Sequence, residues 1–179
     1  NSAIVFLKKF VGFSLATGIS AVITFVATFI NTRIFAPATL GQINLFITVQ
    51  NFLLYIACLG LDQAYCRYYY EYKKADEKKT LFQICLRVSL VVVAVLGAVV
   101  LFAWKPVSGY IGGESSFVVA VALVIATLAH TIGRYFSLAQ RMSQKIVAYT
   151  VLVVSMSISH KLSYSATAII GKDYVTSVL

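Results

Sequence analysis

The sequence predicts an all-α fold, a polytopic membrane bundle of about five transmembrane helices with the start of a sixth. Composition is the first reason. Of 179 residues, 60% are hydrophobic and only 12% charged, and the mean hydropathy is +0.87. A soluble domain of this length cannot enclose that much apolar side chain in one core. The second reason is where the charge lies. It gathers in short segments, above all Arg67, Lys73, Lys74, Lys78 and Lys79, between long runs with almost none. The third is that these runs match the roughly 20 helical residues that cross a bilayer core.

The elements follow in order. Residues 10–32 carry no charge, so a first helix covers about 10–35. Residues 34–61 are also uncharged, but Pro37 and Gly41 interrupt them, which places a second helix at about 41–66. The run 88–104, with Arg87 able to snorkel at its end, predicts a third helix at about 83–104. Residues 115–133 belong to a fourth at about 116–139. Residues 146–171, interrupted by Lys161, predict a fifth at about 146–170, and Asp173 is placed to cap a sixth. Pro37 and Pro106 fall in the expected linkers, where a missing N–H costs nothing. Ser14 and Gly18 form a small-xxx-small pair that lets helices approach, a common feature of membrane packing. Residues 1–179 are expected to form a single integral membrane domain. Period-two alternation is absent, which excludes barrel strands. The first segment is too long for a signal peptide and has no small-residue cleavage site.

Counting cations orients the bundle. The N-terminus and the 2–3 and 4–5 linkers hold Lys8, Lys9, Arg67, Lys73, Lys74, Lys78, Lys79, Arg87, Arg134, Arg141 and Lys145. The other side holds Arg33, Lys105 and Lys172. Eleven against three puts the N-terminus in the cytoplasm. The net charge of +9 is then mostly topological, and membrane lipid is its expected partner rather than nucleic acid. Tyr65, Tyr68, Tyr69, Tyr70 and Tyr72 are expected at one headgroup level, with Trp104 and Tyr110 at the other.

No catalytic, metal or nucleotide motif is present, so the chain is not expected to be an enzyme or to need a cofactor. His130 and His160 lie on different helices. Cys58, Cys66 and Cys85 lack metal spacing and read as small packing residues.

Residues 10–35 read FVGFSLATGISAVITFVATFINTRIF, followed by APATLGQINLF and, from Leu59, LGLDQAYCRYYYEYKK. A long first helix ends in Arg33 and a small-Pro segment, Ala36-Pro37; Gly41 opens the second helix. That helix closes on Gly60-Leu61 and Arg67-Tyr68-Tyr69, and Arg134-Tyr135-Phe136 with Tyr149 forms a weaker echo later. This order resembles the opening of the Wzx-type polysaccharide and O-antigen flippases of the multidrug/oligosaccharidyl-lipid/polysaccharide exporter superfamily. The resemblance covers most of residues 8–155. It implies an N-terminal fragment, or an interrupted reading frame, forming part of one lobe of a larger two-lobed inner-membrane transporter. It further implies an isoprenoid-pyrophosphate-linked oligosaccharide as substrate, a role in surface polysaccharide and lipopolysaccharide biosynthesis, and polysaccharide assembly proteins as partners.

Ionisable groups at bilayer depth are costly and mark candidate sites. Lys161 lies roughly 22 Å into the fifth helix by the α-helical rise. With His160, Ser157 and Tyr164 it forms a polar wall that could attract an anionic headgroup, or it could simply snorkel. His130 and Arg134 are one turn apart; Arg134 reads either as a cavity group or as an interfacial anchor. Asp62 is the candidate for ion coupling, with a pairing to nearby Arg67 as the plainer reading. Gln50 and Asn51 lie mid-span and could bond sugar hydroxyls or a neighbouring helix. Two alternatives stand beside the flippase: a drug/cation antiporter of the same superfamily, and a non-transporting membrane scaffold.

Overall fold

The computed structural model describes residues 2–112 and 116–158, all helix and turn with no strand among them. Its helices are α1 (Ser2–Ile34), α2 (Pro37–Cys58), α3 (Leu61–Tyr68), α4 (Ala75–Phe102), α5 (Trp104–Gly112) and α6 (Phe117–Met142), followed by a helical stretch α7 over Ile146–Ile158. Within α1 the segment Phe10–Arg33 is long and apolar enough to cross a membrane, as are α2, α4 and α6.

Three expected boundaries move, each for a local reason. The helix expected over 41–66 is two helices, because Leu59 and Gly60 take left-handed φ values of 47° and 74°. Glycine accepts that conformation freely and ends many helices, so α2 stops and the chain turns into α3. The third expected helix begins earlier, at Ala75 inside the charged linker. Asp76 and Glu77 occupy its first turn, where carboxylates oppose the positive end of the helix dipole. The two prolines are not in linkers. Pro37 opens α2 and Pro106 lies in the first turn of α5, where backbone N–H groups have no intrahelical acceptor.

The chain divides into two compact units, residues 44–143 and residues 1–43 with 144–179. In the latter, α1 packs on α7. The Phe13 and Tyr149 rings meet edge to face at 5.3 Å. The close approach is at Gly12, where an added Cβ would lie 2.8 Å from the Ile146 Cγ2 atom. Gly18, expected to serve this purpose, has open space around it. Most of the apolar side chains of α1 are exposed, including Phe25 and Val22.

The 44–143 unit is a bundle of α3 to α6 with the C-terminal part of α2. Helices α4 and α6 run antiparallel. Early α4 meets late α6 through Ser89 and Tyr135, and late α4 meets early α6 through Gly97 and Val124. The buried face of α4 is Cys85, Ser89, Val93, Gly97 and Val100, and that of α6 is Ala120, Leu123, Thr127, Thr131 and Tyr135. The opposite face of α4 exposes Ile84, Val88, Val91, Val95, Val99 and Phe102. Both stripes repeat at the three- and four-residue spacing of a helix. The small and hydroxyl-bearing residues of the seam, Ser89, Gly97, Ala120, Thr127 and Thr131, face inward beside Val93, Val100 and Leu123, while the outer face of α4 from Val88 to Phe102 is apolar, as in helices that pack against each other within lipid.

Two clusters fill the bundle. At one end Leu54, Cys58, Tyr65, Cys85 and Tyr135 are buried together. At the other, Val100, Ile111, Ala120 and Leu123 are, with Phe46, Val49 and Leu53 of α2 against them. There the α5–α6 connection is clamped by buried Ser108. Its hydroxyl donates to the Trp104 carbonyl at 2.7 Å and accepts from the Ser116 N–H at 3.1 Å. Trp104 also meets Phe117 edge to face at 5.8 Å.

Candidate functional site: a charged pair between α3 and α6

The break at Leu59–Gly60 sets up the site. Helix α3 is amphipathic, with Leu61 and Tyr65 packed into the cluster formed with α4 and α6. Four-residue spacing continues that face to Tyr69, whose hydroxyl lies 3.2 Å from Ser143 Oγ. Asp62, one residue after Leu61, is thereby turned toward α6.

Asp62 meets Arg134 there. The guanidinium donates to Oδ2 from Nε at 3.1 Å and from Nη2 at 2.6 Å. The other carboxylate oxygen, Oδ1, accepts the Gln63 N–H at 3.0 Å. The guanidinium carbon lies 5.8 Å from the Tyr55 ring centroid, which adds an aromatic face to its surroundings. The Asp62 side chain is 13% exposed and that of Arg134 is 38% exposed. A carboxylate this enclosed needs donors, and this one has three.

The expected partner of Asp62 was Arg67. Five residues apart on one helix, the two point to different faces. Arg67 is exposed, with its guanidinium 5.8 Å from the Tyr68 ring centroid. The tyrosines also divide. Tyr65 is 2% exposed and belongs to the core, whereas Tyr68, Tyr70 and Tyr72 are exposed.

Behind the pair runs a polar seam that sequence reasoning missed. The Ser89 and Tyr135 hydroxyls lie 2.7 Å apart and are buried. On the same face of α6, Thr131 donates to the Thr127 carbonyl and Thr127 to the Leu123 carbonyl, each at 2.8 Å. The signal was present as Thr127, Thr131 and Tyr135 at four-residue spacing, one residue out of phase with His130 and Arg134.

The remaining candidates are distributed as follows. Gln50 is 1% exposed on α2, and Asn51 beside it is half-buried. His130 is half-buried one turn before Arg134 on α6. Lys161 and His160 lie outside the described residues. Among the described residues no cluster of His, Cys, Asp or Glu is suited to hold a metal ion.

Burial tunes two groups of α3. It pushes the Tyr65 hydroxyl up to about 12, helped by neighbouring Tyr69, Cys66 and Cys85. It also pushes the Cys66 thiol up, against an opposing pull from Arg141. Neither group ionises near neutral pH, so they act as packing groups and not as nucleophiles. The arrangement offers paired charge and hydroxyl groups but no nucleophile–base constellation. No family model, curated protein or solved structure matches the chain.

Proposed function

We propose that the chain forms part of one lobe of a membrane transporter that moves isoprenoid-pyrophosphate-linked oligosaccharide units across the inner membrane, with its N-terminus in the cytoplasm. The observation that carries this reading is the Asp62–Arg134 pair, which ties the short helix α3 to the membrane-length helix α6. Ionisable groups on a membrane-length helix such as α6 are costly and tend to mark routes for polar cargo or coupling ions. The order of the Arg33, Ala36-Pro37, Gly41, Gly60-Leu61 and Arg67-Tyr68-Tyr69 elements supports the flippase reading over other transporters. In this mechanism no covalent step occurs. The lipid tail stays in the bilayer while the glycan crosses a polar cavity, and Asp62 with Arg134 forms part of its wall. Lys161 and His160 are separate candidates for contact with the anionic headgroup, on the sequence alone.

The test is export of surface polysaccharide by a flippase-deficient host carrying the protein in its full reading frame. Asp62→Asn, Arg134→Gln and Lys161→Ala are compared with the parent at matched protein level. The proposal expects export by the parent and a loss of at least about tenfold in each variant, with Lys161→Arg retaining part of the activity. Full export by all three variants would reduce the polar groups to scaffolding. Drug resistance or cation exchange by the parent without glycan export would favour the antiporter.

A further inference from the structure

We infer that α3 and the first turns of α4 form a docking surface for anionic phospholipid headgroups. Helix α3 has eight residues, too few to cross a membrane, and connects two helices that are long enough to do so. It is held in place on its inner face by Leu61 and Tyr65, by the Asp62–Arg134 pair and by the Tyr69–Ser143 contact. Its outer side and the turn that follows present Arg67, Lys73 and Lys74, and the first turns of α4 add exposed Lys79 and half-buried Lys78.

These five cations outnumber the three carboxylates of residues 67–79, Glu71, Asp76 and Glu77, and Glu71 is exposed with no cation within ion-pair distance among the described residues. The single carboxylate of α3, Asp62, is committed to Arg134. Asp76 and Glu77 lie in the first turn of α4, where the helix dipole already offsets their charge. Lys74 reaches Glu77 only at 4.0 Å, with its side chain 82% exposed. Among the described residues, Arg67, Lys73, Lys78 and Lys79 have no carboxylate within ion-pair distance. Lys78 instead sits 4.5 Å from the Tyr69 ring centroid. Exposed Tyr68, Tyr70 and Tyr72 lie among the cations. Tyrosines favour the headgroup level of a bilayer, and clustered cations beside a membrane segment attract acidic lipid. Anionic headgroups meet both requirements, and a rigid α3 holds the cations at one level. This inference is independent of transport.

The experiment exchanges lipid onto the purified, folded chain, so that membrane insertion is not a variable. Retention of phosphatidylglycerol and phosphatidylcholine is measured by native mass spectrometry. The parent should retain phosphatidylglycerol preferentially. A variant combining Arg67→Gln, Lys73→Gln, Lys74→Gln, Lys78→Gln and Lys79→Gln should lose about tenfold of that preference. A control with Arg33→Gln and Lys105→Gln should keep it. Raising salt to about 0.5 M should weaken the preference of the parent as the variant does, a check that needs no mutant to fold. Equal retention of both lipids by the parent, or a preference that survives the fivefold substitution or the salt, would overturn the inference.

Discussion

At the level of single residues, the Asp62–Arg134 pair combines a well-enclosed carboxylate with a partly exposed guanidinium. Fully exposed pairs contribute about 0–1 kcal/mol, while removing one partner of a fully buried pair costs about 3–5 kcal/mol. Asp62→Asn should therefore destabilise the chain by about 1–2 kcal/mol, read as a lower thermal midpoint in detergent. Asp62→Asn with Arg134→Gln should cost less than the two single changes added together, since neither then leaves an uncompensated charge. Additive losses would show that the two side chains do not interact. Tyr65 has a pH signature. Its hydroxyl is raised from 10 to about 12 on folding, so the folded state holds the proton more tightly. Its contribution to stability is complete below pH 10 and is lost as pH rises from 10 to 12. Tyr65→Phe should flatten that part of a stability–pH curve, and tyrosinate absorbance should place the transition. Asp62 and Arg134 were both legible as candidates, but their pairing was not. It requires α3 to be a separate helix aimed at α6, which no spacing along one helix reveals.

Among the elements, the α4–α6 seam governs packing. A Cβ at Gly97 would lie 2.9 Å from Val124 Cγ1, on a short side chain with little freedom to withdraw. Gly97→Ala gains about 1 kcal/mol of helix propensity, but overpacking a seam of this kind costs about 1–3 kcal/mol. A net loss of roughly 1 kcal/mol is expected, and Val124→Ala should recover it in the double variant; a gain in thermal midpoint for Gly97→Ala alone would mean the helices can part easily. The long helices were legible because a crossing segment needs an uncharged run, and residues 10–32 and 115–133 are such runs. Helix α3 was not, since it is a short amphipathic segment that reads like the interfacial end of α2, and in the sequence one glycine marks the break. The start of α4 was hidden in the same way, because lysines and acids that look like a loop also make a good exposed helical turn. Gly97 and Gly12, and not Gly18, mark the close approaches. Which glycine faces a neighbour depends on helix rotation, which a nearly uniform apolar sequence leaves undefined.

For the molecule as a whole, four helices are long and apolar enough to cross a membrane, and the central proposal is that α2, α4 and α6 do so in alternating directions with the basic side in the cytoplasm. The membrane character was legible in composition, and the exposed aliphatic side chains on α4 and α6 suit lipid as solvent. The direction rests on cation asymmetry, and neither helix length nor packing distinguishes the two orientations. The most direct measurement places a topology reporter at Lys73, in the turn before α4, and separately at Tyr110, exposed on α5. The account predicts a cytoplasmic signal at Lys73 and an external signal at Tyr110. Signals on the same side would show that α4 does not cross the membrane, and a reversed pair would contradict the orientation.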